Sequence, residues 1–281
     1  MDPETSGSGA HMWNGSPREE AGRTVDPPGK GAIWQTFPRS MEQIPQHELN
    51  RLEAIAGPSK PLEELVARRL DGEPLQYIEG SAPFGPLDLL VDERVLVPRP
   101  ETEGLYEIAT RMARNPEVIV DLCTGSGALA LALKKAFPSA AVFATDISED
   151  AIEVAAENRH RNRLDIYLAV GDLFDPLPAG LLGEVDLLVA NPPYVSESEY
   201  EKLPEDVRRE PKVALVAGHT GLEVIQRIGA AAARWLRPGG VVVCEIGETQ
   251  GVSAGTCFLE LPTVVRKDMA GRDRYVIAVK P

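Results

Sequence analysis

The apolar positions change their period along the chain. Between residues 41 and 70 they recur every three to four places, with Leu49, Leu52 and Ile55 before a Gly57-Pro58 break and Leu62, Leu65 and Val66 after it. That spacing predicts two short helices. Over 75–98 the apolar runs are brief and are punctuated by Phe84-Gly85-Pro86, which predicts short strands around a turn. Pro100, followed by Glu101 and Glu103, marks a helix start, with proline in the first turn and acids near the positive end of the helix dipole.

From Val118 onward, strand and helix patterns alternate. Apolar runs predict strands at 118–122, 141–146, 166–170, 185–190, 241–246 and 275–279. Helical patterns lie between them at 128–137, stopped by Pro138, at 149–162, and at 222–236, closed by Pro238-Gly239-Gly240. Such alternation predicts an α/β fold of the Rossmann-like kind, a mostly parallel sheet covered by helices on both faces. Sheets of this kind bind ligands beyond the carboxyl ends of their strands.

Composition bounds the rest of the picture. Of the 281 residues, the first forty hold six Gly and five Pro with few aliphatic side chains, which predicts a disordered tail. Its opening, MDPETSGSGAHM, has neither the charged nor the apolar region of a signal peptide and reads as an appended expression leader. Residues 41–74 then form a small helical region and 75–281 the main domain. The net charge is −14, from 29 basic and 43 acidic residues, which argues against a surface built to neutralise phosphates. Direct nucleic-acid binding is not expected. No run approaches the ~20 apolar residues of a membrane span. Cys123, Cys244 and Cys257 are widely spaced with no CxxC pair, so neither a disulfide framework nor a metal site is expected, and the chain reads as cytoplasmic.

Two places carry chemistry. After the strand at 118–122 comes Asp121-Leu122-Cys123-Thr124-Gly125-Ser126-Gly127, whose small residues let backbone approach a ligand. Asp146 ends the next strand, where an acid takes the ribose hydroxyls of an adenosine-type cofactor. A dinucleotide fingerprint fits poorly, because Cys123 stands at its first glycine and no third glycine follows. The loop instead resembles motif I of the class I methyltransferases, which bind S-adenosylmethionine. By that resemblance Cys123, Thr124, Gly125, Ser126, Gly127 and Asp146 hold the cofactor, while Asp172 and Leu173 flank its adenine.

The fourth strand runs into Asn191-Pro192-Pro193-Tyr194. An amide or exocyclic amine is a poor nucleophile, because its lone pair is delocalised, so a catalyst must hold that lone pair toward the methyl donor. Asn191 Oδ1 and the Pro192 carbonyl can accept the two N–H bonds of one NH₂ group and fix its position. Two prolines stiffen the loop, and Tyr194 offers a flat face to a planar substrate near a cation. Asn191, Pro192 and Tyr194 are therefore the candidate catalytic residues, with Pro193 beside them in the substrate site, and Asn191 also borders the cofactor.

Over 73–279 the chain resembles the protein-(glutamine-N5) methyltransferases that modify peptide-chain release factors. The resemblance rests on Leu75-Gln76-Tyr77-Ile78-Glu79-Gly80, on Val97-Pro98-Arg99-Pro100-Glu101-Thr102-Glu103, on the Asn191 motif, on 218–222, on Glu245-Ile246-Gly247-Glu248-Thr249-Gln250-Gly251 and on 268–274. It implies S-adenosylmethionine as cofactor, and as partner the Gly-Gly-Gln loop of a class-1 release factor. The family usually has Gly at Cys123, a longer helix over 252–263, and a larger N-terminal helical bundle. Two other readings stand beside this one. A nucleic-acid amino-methyltransferase, acting on adenine N6 or guanine N2, uses the same tetrapeptide but calls for a basic groove. A module that only binds S-adenosylmethionine has no need of 191–194.

Overall fold

We describe the fold from a computed structural model, which describes residues 43–281. The tail expected at 1–40 lies outside the described residues. Helices α1 (Gln46–Ile55) and α2 (Leu62–Leu70) are the two that the three-to-four spacing predicts. Leu49 and Leu52 of the first and Leu65 and Val66 of the second are buried. Where strands were predicted from residue 75, the chain instead makes a third helix, α3 (Leu75–Glu79), started by Pro74 and closed by Gly80 in the left-handed conformation. Five residues are too few to show a helical period, and the proline and glycine at its ends carry the signal. The expected strands follow as an antiparallel hairpin, β1 (Ala82–Phe84) and β2 (Leu87–Leu89).

Helix α4 (Pro100–Met112) begins at the predicted proline, with Glu101 and Glu103 in its first turn and Arg111 in its last. Next come β3 (Val118–Leu122), α5 (Ala128–Ala136), β4 (Ala141–Asp146), α6 (Glu149–Asn162), β5 (Tyr167–Val170) and β6 (Val185–Ala190). Three one-turn helices follow, α7 (Glu197–Tyr200), α8 (Glu205–Arg208) and α9 (Lys212–Leu215). Helix α10 (Glu223–Trp235) leads directly into β7 (Leu236–Glu245), so Pro238-Gly239-Gly240 lies inside the strand rather than beyond the helix. The pairing of β7 with β6 shifts register there, between Val185 and Leu187, which absorbs the proline. The chain ends with α11 (Gly251–Gly255), a 3-10 turn (Thr256–Phe258), β8 (Thr263–Lys267) and β9 (Asp273–Val279).

The seven strands β3 to β9 form one sheet in the order β5-β4-β3-β6-β7-β9-β8, parallel except where β9 pairs with β7 and β8. Alternate residues of its central strands feed two cores. Ile119, Leu187, Val189 and Ile277 pack with Leu105 of α4 and Leu131 of α5. Val120, Leu188, Val242 and Val276 face Ile225 and Ile228 of α10 on the other side. A strand buried on both faces reads as an unbroken apolar run, which is why these strands were visible in the sequence.

Helix α4 sits close on β9. The Tyr275 hydroxyl donates to the Glu101 carbonyl at 2.7 Å, and a Cβ added at Gly104 would collide with that hydroxyl. Gly104→Ala is expected to destabilise the fold by about 1–3 kcal/mol through overpacking, despite alanine's better helix propensity. Adding Tyr275→Phe should restore part of the loss. Chemical denaturation of the two variants checks this, and an unchanged or raised stability of Gly104→Ala would contradict the packing.

Candidate active site

Parallel register sets the site. Leu122 pairs with Thr145 on one side and with Ala190 on the other, and Ala190 pairs with Cys244. The next residue of each strand or loop is therefore Cys123, Asp146, Asn191 or Glu245, four chemically active side chains in a row at the carboxyl edge of the sheet. Cys123, Asp146 and Asn191 border a cleft enclosing roughly 1120 Å³, its mouth included, which also meets Thr102, Gly125, Asp172 and Leu173, while Glu245 is buried behind it.

The loop after β3 turns on three residues with positive φ: Cys123 at 58°, Gly125 at 54° and Gly127 at 81°. Cys123 thus adopts a conformation that glycine takes without cost, which accounts for glycine at that place in the family. Asp121 holds the loop from beneath: its Oδ2 accepts from the Thr124 hydroxyl at 2.6 Å and from the Ala130 N–H at 3.1 Å. Asp146 accepts from the Gly125 N–H at 2.9 Å and from the Ser148 N–H at 3.0 Å. Its carboxyl is raised above the usual range because burial disfavours the charge, with those N–H groups opposing the rise.

A nucleoside fits these residues. A ribose diol brings two O–H donors, and Asp146 offers acceptor capacity beyond its two backbone bonds. Ile147, next in the chain, lines the cleft with 57% of its surface exposed, and Leu173 adds a second apolar side chain to the lining. A flat base would cover both. Leu173 has a positive φ of 49°, held by the Thr145 hydroxyl donating to its carbonyl at 2.8 Å. Asp172 accepts from Arg227 of α10 at 2.6 Å, so it carries a cation at the cleft mouth.

The tetrapeptide follows β6, and its Asn191 and Pro193 line the same cleft. Asn191 Nδ2 donates to the Thr102 hydroxyl at 3.1 Å, Thr102 donates to Glu245 Oε2 at 2.9 Å, and the Tyr194 hydroxyl reaches Glu245 Oε1 at 3.3 Å. Among the described residues nothing donates to Asn191 Oδ1 or to the Pro192 carbonyl. Behind the loop, Gln250 Nε2 donates to the Tyr194 carbonyl at 2.9 Å and to the Gly221 carbonyl at 3.2 Å. Gly221 has a φ of 79°, and a Cβ there would stand 2.5 Å from the Tyr194 carbonyl. The Val195 N–H donates to the Leu215 carbonyl at 2.9 Å, tying the loop to α9. Glu210, buried between α8 and α9, accepts from the Val97 N–H at 2.9 Å and from Arg99, which closes the cleft wall against the segment before α4.

Of the residues singled out in the sequence, Cys123, Thr124, Gly125, Ser126, Asp146, Asp172, Leu173, Asn191 and Pro193 line one cleft, while Gly127, Pro192 and Tyr194 adjoin these along the chain without lining it. Sequence reading missed the parts played by Thr102, Ile147, Glu210 and Glu245. Thr102 and Glu245 stand inside motifs noted above, but 143 positions separate them, and only the fold brings them together.

Burial raises the carboxyls here. Asp121, fully enclosed, is pushed up to about 7, first by desolvation and further by the Asp146 charge, against its two hydrogen bonds. Between an ordinary value near 3.8 and about 7 the folded chain holds a proton there that the unfolded chain has lost, so this group makes stability fall as pH rises through that window. Asp121→Asn should flatten the fall by up to about 1.4 kcal/mol per pH unit. Urea unfolding at steps between pH 4 and 7.5 measures it, and a slope equal to that of the unmutated chain would contradict the assignment.

A family model described as the methyltransferase small domain matches residues 106–210. The chain is 42% identical over 226 residues to a release factor glutamine methyltransferase of Streptomyces coelicolor, covering 77% of this chain and 79% of that one. It is 38% identical to the release factor glutamine methyltransferase of Lactococcus lactis, covering 94% and 98%. Among solved structures, a methyltransferase from Pyrococcus furiosus shares the fold over 76% of this chain and 96% of its own, with a TM-score of 0.54 and 22% identity. A Thermus thermophilus 16S rRNA methyltransferase, in complex with AdoMet and guanosine, does so over 72% of this chain and 50% of its own, with a TM-score of 0.51 and 20% identity. With the cleft and these likenesses together, the chain belongs to the release factor glutamine methyltransferase family.

Proposed function

We propose that this protein transfers a methyl group from S-adenosylmethionine to the side-chain nitrogen of the glutamine in the Gly-Gly-Gln loop of a class-1 release factor. The observation that carries the reading is the pair of unengaged acceptors of the 191–194 loop, Asn191 Oδ1 and the Pro192 carbonyl, in a loop whose Asn191 and Pro193 line a cleft that suits a nucleoside. Bound there, S-adenosylmethionine supplies an electrophilic methyl group on a cationic sulfur. Asp146 would take its ribose hydroxyls, Ile147 and Leu173 the faces of its adenine, Asp172 the edge of that ring, and the 123–127 loop its amino-acid end.

The residues of the chain do the remaining work. Asn191 Oδ1 and the Pro192 carbonyl accept both N–H bonds of the glutamine carboxamide, which places the nitrogen and fixes the carboxamide plane so that the lone pair perpendicular to it points at the methyl donor. Tyr194 covers the carboxamide plane and shields the cleft from water; burial and the neighbouring Glu245 charge hold its phenol protonated. The nitrogen gains the methyl group as the donor's carbon–sulfur bond breaks, becomes strongly acidic once its lone pair is used, and releases one proton to solvent. A carboxylate in the same place brings no donors, so two acceptors would face it unpaired. Among the described residues no helix is long and apolar enough to cross a membrane, and the −14 charge opposes a nucleic-acid substrate.

Asp146→Ala is expected to weaken S-adenosylmethionine binding about tenfold to a hundredfold, read by calorimetry. Asn191→Ala should lower kcat by about a hundredfold or more while most of the cofactor affinity survives, because orientation acts in the transition state. Tyr194→Phe should be milder than Tyr194→Ala. Mass spectrometry of a class-1 release factor after reaction should show one added methyl on the Gly-Gly-Gln glutamine and none when that residue is glutamate. Methyl transfer to RNA or DNA with the release factor untouched would overturn the reading in favour of a nucleic-acid amino-methyltransferase.

A further inference from the structure

The polar contacts behind Asn191 form a line with a direction. Thr102 sits in the first turn of α4 and Glu245 at the end of β7, and each touches the tetrapeptide from outside it. A hydroxyl has one hydrogen and two lone pairs. Thr102 gives its hydrogen to Glu245 Oε2 and accepts the Asn191 Nδ2 hydrogen, while Tyr194 donates to the other Glu245 oxygen. An ionised carboxylate accepts only, so the line runs one way, from Asn191 through Thr102 to Glu245.

We propose that Glu245, acting through Thr102, is the positioning residue that keeps the Asn191 carboxamide turned with its oxygen toward the substrate, and that this fixed sense makes the site select an amide over a carboxylate. The proposal rests on the reading that Asn191 Oδ1 accepts from the substrate amide. If Asn191 turned over, its oxygen would face a Thr102 hydroxyl already committed to Glu245, and its NH₂ would face the substrate. The turned state would then welcome a carboxylate. Two acceptors in contact disfavour that state by about tenfold to a hundredfold.

The anchor is sensitive to protonation. Glu245 is buried, and desolvation pushes it up to about 7, against the bonds from Thr102 and Tyr194 and the charge of Arg274. The groups facing it are Arg274 and Tyr275 of β9, Glu101 of α4, Tyr194 of the tetrapeptide and Cys244 on its own strand. Arg274 donates to the Ile246 carbonyl at 3.1 Å, so it acts on Glu245 as a nearby charge. Below about 7 the carboxyl takes a proton, one oxygen becomes a donor, and the line loses its single sense.

The test uses the full chain, S-adenosylmethionine, and an intact release factor with glutamine or glutamate at the acceptor position, the second as a competing inhibitor. Thr102→Val should lower kcat about tenfold to a hundredfold, and Thr102→Ser, which keeps the hydroxyl, should return it to within about fivefold of the unmutated enzyme. The preference for the glutamine form over the glutamate form should shrink about tenfold or more in Thr102→Val and in Glu245→Gln. The unmutated enzyme should lose kcat on acidification with a midpoint near 7, and Glu245→Gln should lack that limb. A purely structural role would lower turnover without moving either the preference or the pH limb. An unchanged preference and an unchanged acid limb in these variants, with Asn191→Ala inactive, would overturn the proposal and leave the glutamine reading standing. Near-normal turnover in Asn191→Ala would overturn the glutamine reading itself. Should Thr102→Val fail to fold, Thr102→Ser and the pH profile of the unmutated enzyme decide, since a flat profile between pH 6 and 8 contradicts the anchor.

Discussion

The common register of four parallel strands is the constraint on which the rest depends. Because β4, β3, β6 and β7 end at one level, the residues that follow them cannot avoid being neighbours. A loop with three left-handed residues, an aspartate, an asparagine and a glutamate are thereby set in a row with no dedicated scaffold. Antiparallel strands would have sent alternate ends to opposite edges. The sheet's two apolar faces hold that register, since a shift of one residue in β3 or β6 would exchange the side chains of the two cores.

Buried carboxylates gather in and around the row. Asp121, Asp146, Glu210 and Glu245 are all raised by burial, and three of them are held by N–H or O–H donors with no cation in direct contact. Glu210, which Arg99 meets, shapes the wall and stands apart from the reacting groups. Of these, Asp146 alone lines the cleft, and its remaining acceptor capacity suits a ligand that brings donors, such as a ribose diol.

Much of this was legible in the sequence, for identifiable reasons. Strands buried on both faces and a loop of small residues produce local signals, and the tetrapeptide carries its chemistry in four adjacent residues. Three things were not legible. The edge strand β8 exposes Thr263, Val264, Arg266 and Lys267, so it has neither an apolar run nor a clean alternation, and it forms because β9 offers it a partner. Helix α3 is shorter than the window in which a helical period can be seen. The Thr102 and Glu245 contacts join α4 and β7 to the tetrapeptide across 89 and 51 positions, and no local pattern records a pairing of that length.

Everything proposed for the chemistry turns on Asn191 Oδ1 and the Pro192 carbonyl together taking the NH₂ group of a glutamine. A crystal structure of the enzyme with the demethylated cofactor product and a release factor bearing an unmodified glutamine tests it most directly. The glutamine nitrogen is expected within about 3.2 Å of both oxygens, with Asn191 Nδ2 still on Thr102. A glutamine nitrogen directed elsewhere, or an Asn191 whose NH₂ faces the substrate, would contradict it.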